Sequence, residues 1–149
     1  MKKFALVALG AATLSFGLPQ AASAQSAYPV DPGDYVEVGM ISVDDGHALD
    51  YANYLAASYR TSQDFAKAQG WITDYQIWTS VNPRNGEADV YLVTWFPSFA
   101  DAEEDMRRNQ MFLDHMKRTE AQLQAESGKR AEYRKQMGSM LFRVQNWND

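Results

Sequence analysis

Two histidines, four tryptophans, eight tyrosines and no cysteine bound the chemistry open to this 149-residue chain. Without thiols there is no nucleophilic cysteine, no thiolate metal site and no disulfide. His115, in "MFLDHMKRTE", could serve as a general base or a ligand, or it could sit on a wet helix face. The helix that carries it decides. Counting 100° per residue, a helix unbroken from Ser98 has its core stripe on Phe99, Ala102, Met106 and Leu113. His115 then stands in solvent beside Glu104 and Arg108. A break at Asn109, an acceptable N-cap, would instead turn Phe112, His115 and Met116 inward. Exposure needs no extra assumption and is the expectation. His47, in a loop entering the first helix, reads as surface.

Aromatic side chains are the second resource. Tyr75, Trp78, Tyr91 and Trp95 crowd into two strand-like runs, and Tyr51 and Tyr59 share one stripe of a helix. Tyr51, Tyr75, Trp78 and Tyr91 are the candidate contacts for a small apolar or aromatic ligand; core or interface packing is the competing use. Buried tyrosine hydroxyls need partners, which argues for a polar-lined pocket between helices and sheet. Asp101, Glu103, Glu104 and Asp105 crowd a helix start, where the macrodipole accounts for them, and no metal site is assigned. There is no phosphate-binding loop, nucleophile elbow or HExxH.

The elements that must position these residues follow from periodicity. "QSAYPVDPGD", residues 25–34, reads as a leader, and "YVEVGMISV" alternates as a strand. Ala48, Tyr51, Ala52, Leu55, Tyr59, Ser62 and Ala66 then form a helical stripe opposite Asn53, Arg60, Asp64 and Lys67, ended by Gly70. "WITDYQIWTSV" and "ADVYLVTWF" should pair as a hairpin across "NPRNGE". The second run is apolar on both faces and should be covered on both. Ser98 with Asp101 suggests a capping box, opening a helical stretch to about Met137 with a break near Gly128. "MLFRVQNW" is the last strand.

That order, βαββαβ, predicts an α+β, ferredoxin-like domain over 35–149: a four-stranded antiparallel sheet with its helices on one face and an extra helical segment before the last strand. Met40, Tyr75, Trp78 and Phe142 are assigned to the opposite face, too apolar to leave wet, so a homodimer stacking two sheets is expected.

The N-terminus is an address. Lys2 and Lys3, an apolar run over residues 4–17 and small Ala22 and Ala24 predict a signal peptide, residues 1–24, cleaved before Gln25. The expected location is the periplasm or outside the cell. The run is too short to span a bilayer, and no membrane association is expected after cleavage. Loss of two lysines leaves twelve basic against nineteen acidic residues, a net charge of −7. Such a protein has no electrostatic case for nucleic acid or anionic lipid.

"VTWFPSFADAEEDMRRNQMFLDH" resembles the dimeric α+β barrel superfamily, which includes antibiotic-biosynthesis-type and heme-degrading monooxygenases. A strand tryptophan, Trp95, precedes a Ser-initiated helix, with Phe112 and His115 about twenty residues on. The resemblance implies that His115 could ligate heme iron and Trp95 press on the porphyrin. The chain departs in lacking an asparagine on the first strand and in its longer, charged tail. "SYRTSQDFAKAQGWITDYQI" is similar to small exported proteins of Gram-negative bacteria without an assigned function. The expectation is an exported small-ligand-binding protein needing no cofactor. The alternatives are a monooxygenase-like enzyme, cofactor-free or heme-dependent, and a structural or interaction module.

Overall fold

The computed structural model describes residues 28–148; the expected signal peptide and the first residues of the expected leader lie outside them. Four antiparallel strands form one sheet in the order β2-β3-β1-β4: β1 Val30–Val43, β2 Asp74–Thr79, β3 Val90–Phe96 and β4 Arg134–Trp147. Between β1 and β2 run α1 (Ala48–Tyr54), a π-helical turn (Leu55–Tyr59) and α2 (Arg60–Ala68). Between β3 and β4 stand α3 (Ala102–Met116) and α4 (Glu120–Arg130). The fold class is α+β.

Strand alternation separates two layers. Ile41 and Val90 join Tyr51, Leu55 and Tyr59 in the core beneath α1 and the π turn, flanked by Val43, Tyr75, Leu92 and Tyr133. Val36, Val38 and Val93 point the other way and are covered by Tyr91, Trp95 and Val144. The π turn has a sequence cause. Tyr51, Leu55 and Tyr59 recur every four residues, wider than the 3.6 of an α-helix. Widening the turn absorbs the drift, and all three stay on the sheet, 1, 7 and 8% exposed. Thr61 and Ser62 donate hydroxyl hydrogens to the Ala57 and Tyr59 carbonyls, 2.8 and 2.6 Å away, helping to satisfy this irregular stretch.

Several boundaries differ from expectation. The described end of the expected leader is not loose: β1 begins at Val30, which pairs with Trp147, and Pro32 pairs with Gln145 across an irregular register. β3 ends opposite Tyr35, so at this end β1 is an edge strand and Pro32 breaks no inner ladder. Ser98 is not the cap. Asp101 is, its carboxylate accepting the Glu104 N–H at 2.9 Å, while Phe99 packs on Tyr35 and Phe96 at 4.9 and 5.1 Å. The break falls at Lys117, which is left-handed at φ 51°, not at Gly128, which lies inside α4. Thr119 and Gln122 supply a complete capping box, so a new helix starts there. β4 begins at Arg134, inside the stretch expected to be helical, because it pairs with β1 along nearly its whole length.

The side without helices is apolar and open. Trp78 meets Trp95 edge-on at 6.2 Å, and Trp78, Met140 and Phe142 are each 41–49% exposed. Tyr75 does not belong there: it pairs with Thr94 and meets Tyr59 on the helix side. Among the described residues, no helix is long and apolar enough to cross a membrane.

Candidate functional site

The helix side of the sheet is only partly covered, and the gap forms a cleft. Its floor is set by the pleat. Glu37 pairs with Thr94, and Tyr35 with Phe96, so these four face the helix layer. Ser62, Gln63 and Ala66 of α2 form one wall, and Asp105, Arg108, Asn109 and Phe112 of α3 form the other. Trp71 and Ile72 close the end. The cavity so bounded is about 510 Å³. A second cavity, about 310 Å³, opens over β1 and β4 between Gly39, Leu92 and Ser139. Glu37 lines both.

Trp71 owes its position to the helix stop before it. Gly70, at φ +72°, donates its N–H to Lys67 O and Trp71 donates to Ala66 O, both at 3.0 Å, the paired bonds of a Schellman cap. The indole is thereby turned back, edge-on to Phe65 at 5.3 Å, with the Arg108 guanidinium 5.6 Å from its ring centre.

The charges in the cleft are uneven. Arg108 is the one basic residue among those lining it, and its Nε donates to Glu104 at 2.6 Å. Arg107 grips the same carboxylate through two bonds, at 2.7 and 2.8 Å. Arg107 first and Arg108 second hold Glu104 down to about 2. Glu37 and Asp105 engage no side-chain partner among the described residues. The charge left uncompensated in the cleft is negative.

Beneath α1 lies a third cavity, about 390 Å³ and mostly apolar, lined by Tyr51, Leu55, Ile77 and Val90 with Asp89 at its edge. Asp89 is occupied, accepting the Val43 N–H at 2.8 Å. The hydroxyls of Tyr51 and Tyr59 and the Nε atoms of Arg130 and Arg134 are buried here and nearby without a hydrogen-bond partner. Burial pushes the Tyr51 phenol up to about 12, against the opposing pull of the Arg134 charge. Burial raises Tyr59 as well, with the Thr94 side chain working the other way.

The six residues singled out from sequence do not converge. Tyr51 is core and lines the cavity under α1. Tyr75 reaches the rim of α2, its hydroxyl donating to Asp64 at 2.6 Å, and that bond holds the phenol above its ordinary value. Trp78, Tyr91 and Trp95 stand on the helix-free side. His115 is exposed on an unbroken α3, as expected, but it does not stand free in solvent: it stacks flat on Phe65 of α2 at 4.1 Å. Trp95 and His115 thus lie on opposite sides of the sheet. The face of α3 expected to meet the core is the wet one: Phe99 and Met106 are 62 and 68% exposed, while Glu104, Arg108, Met111 and Phe112 are half-buried.

Glu37, Thr94 and Trp71 were not anticipated. The signal for Glu37 was present: it is an acid in phase with Ile41 and Val43 on the core side of a central strand. Among the described residues no three His, Asp or Glu side chains gather as a metal site. No protein-family model matches the chain, and no curated protein matches it at a significant level.

Proposed function

We propose that the chain is an exported, ferredoxin-like protein of the dimeric α+β barrel kind that binds a small molecule between its sheet and its helices. The cleft floored by Glu37 and Thr94 carries this reading. Its volume, about 510 Å³, falls in the range of small-molecule sites, and apolar Trp71, Ile72, Phe96 and Phe112 stand among polar groups from floor and walls. The apolar helix-free side supports the second half: Trp78, Met140 and Phe142 form the surface on which a second copy would stack its sheet. The monooxygenase-like alternative loses its main support, because one porphyrin could not touch both Trp95 and His115 within a single chain.

Native mass spectrometry of protein purified from its own periplasm or medium tests the binding role. A bound small molecule, released by Ala66→Trp and retained by a distant Val81→Ala, is the expected result. A ligand unaffected by Ala66→Trp would refute this location.

A further inference from the structure

Glu37 is the charged residue on the floor of the cleft. It stands on β1, which is flanked by β3 and β4, and it points toward the helix layer in register with Thr94. Its neighbours in phase are Gly39 and Ile41, and the next such position, Val43, is also apolar. The open cleft leaves Glu37 exposed, so its charge stays solvated, and no described side chain pairs with it. Arg108, across the cleft, is held by Glu104 and by the Trp71 ring, and Arg143, opposite Tyr35 on the adjacent strand, donates to the Gly33 carbonyl and the Tyr35 hydroxyl. Asp105, across the cleft on α3, is unpaired too. The apolar part of the lining is Trp71, Ile72, Phe96 and Phe112, with Ser62, Gln63 and Asn109 as neutral polar groups on the helix walls.

Two carboxylates without a side-chain partner, set among half-buried aromatic rings, outnumber the one arginine of the lining and suit one kind of ligand. We propose that the cleft takes an organic cation, a protonated amine held by Glu37 with its apolar body between Trp71, Phe96 and Phe112. The assignment rests on the cleft being the binding site. Chemistry supplies three converging reasons. A carboxylate accepts charge-assisted hydrogen bonds from an ammonium group. Aromatic faces attract cations through their quadrupole. The acidic excess of the whole chain, −5 by formal count, lowers the potential of the approach path. An anionic ligand would have only Arg108 in its favour, and that guanidinium is already engaged by Glu104 and Trp71.

Three probes of similar size separate the possibilities: 2-phenylethylammonium, 2-phenylethanol and phenylacetate. Each is titrated at neutral pH into the wild-type protein and into Glu37→Gln, following the backbone amide shifts of Ala66, Trp71 and Thr94. Glu37 is solvent-exposed, so the glutamine variant keeps the fold. The ammonium probe is expected to bind roughly three- to tenfold more tightly than the alcohol, the range for a charge-assisted bond in a half-open site. Phenylacetate should bind most weakly, and Glu37→Gln should bring the ammonium probe level with the alcohol. An alcohol binding as tightly as the amine, or a preference that survives Glu37→Gln, overturns the cation assignment and leaves the cleft as a binding site. No shift at these three amides from any probe at millimolar concentration overturns both.

Discussion

The sharpest stability prediction concerns a single oxygen atom. Tyr51 is 1% exposed and its ring is central to the core, but its hydroxyl has no hydrogen-bond partner. An unsatisfied buried hydroxyl costs about 1–3 kcal/mol, and a phenyl ring fills the same space. Tyr51→Phe is therefore expected to raise the unfolding free energy at pH 7 by about 1 kcal/mol or more, read from the urea midpoint at unchanged slope. The pH dependence gives an independent check. The folded phenol stays protonated to about 12, whereas an unfolded tyrosine ionises from its model value of 10.0. Its folded value is raised, so its contribution is fully present below pH 10 and is lost as pH climbs toward 12. At pH 11 that loss is about 1.4 kcal/mol, one unit of proton linkage. Tyr51→Phe should remove this part of the alkaline destabilisation, and the raised Tyr59 should leave a smaller remainder of the same sign. If Tyr51→Phe lowers stability at pH 7 by more than about 1 kcal/mol, the hydroxyl has a stabilising partner and the reasoning fails. An alkaline profile unchanged by the substitution would refute the linkage.

The other predictions follow from the same geometry. Phe142→Asp, on the open apolar side, should convert a dimer into a monomer by light scattering, since an unpaired charge in that interface costs several kcal/mol; a wild-type monomer at micromolar concentration would refute the dimer itself. Gly70→Ala should cost about 1 kcal/mol in urea unfolding, because φ is +72° while nothing lies within 4 Å of an added Cβ; the penalty is conformational, not steric. His115→Ala should cost less than about 1 kcal/mol, the loss of one exposed ring contact with Phe65, and should leave any absorbance change on hemin titration identical to wild type. A hemin band lost in His115→Ala would restore the heme reading.

Patterning made much of the sheet legible and little of the helix placement. The alternation of β1 and the aromatic runs around "NPRNGE" identify the strands, because a two-residue period has no close competitor over nine residues. The same signal hid the ends. Val30–Asp34 looks like a loop by Pro32 and Gly33, and only pairing with β4 makes it a strand. Arg134–Met137 carries residues suited to a helix, and the long β1 draws it into the sheet instead. Tertiary pairing overrides local preference in both places. Gly70 was readable because a left-handed stop is a local event. The break at Lys117 was not, since a lysine there gives no such sign.

The error on α3 and the discovery of the cleft have one cause. Phe99 and Met106 suggested a helix lying with an apolar stripe on the sheet, and that stripe alone placed His115 in solvent. The structure turns the helix so that Glu104, Arg108 and Phe112 face inward. Glu104 is then tied to Arg107 and Arg108, and Arg108 lies over Trp71. A surface made of these groups cannot press flat on Thr94 and Phe96 without stripping water from paired charges, which costs more than the apolar contact returns. The helix therefore packs on α2 through His115 and Phe65 and stands clear of the central strands. The cleft follows from that stand-off, and Glu37 survives on a core-facing position because the space above it stays open. Replacing Arg108 and Glu104 together by leucine should let α3 settle onto the sheet. The variant is then expected to be more stable in urea than wild type and to lose the amide response of Thr94 to 2-phenylethylammonium. Retained binding in a stabilised double variant would show that the polar inner face of α3 does not hold the cleft open.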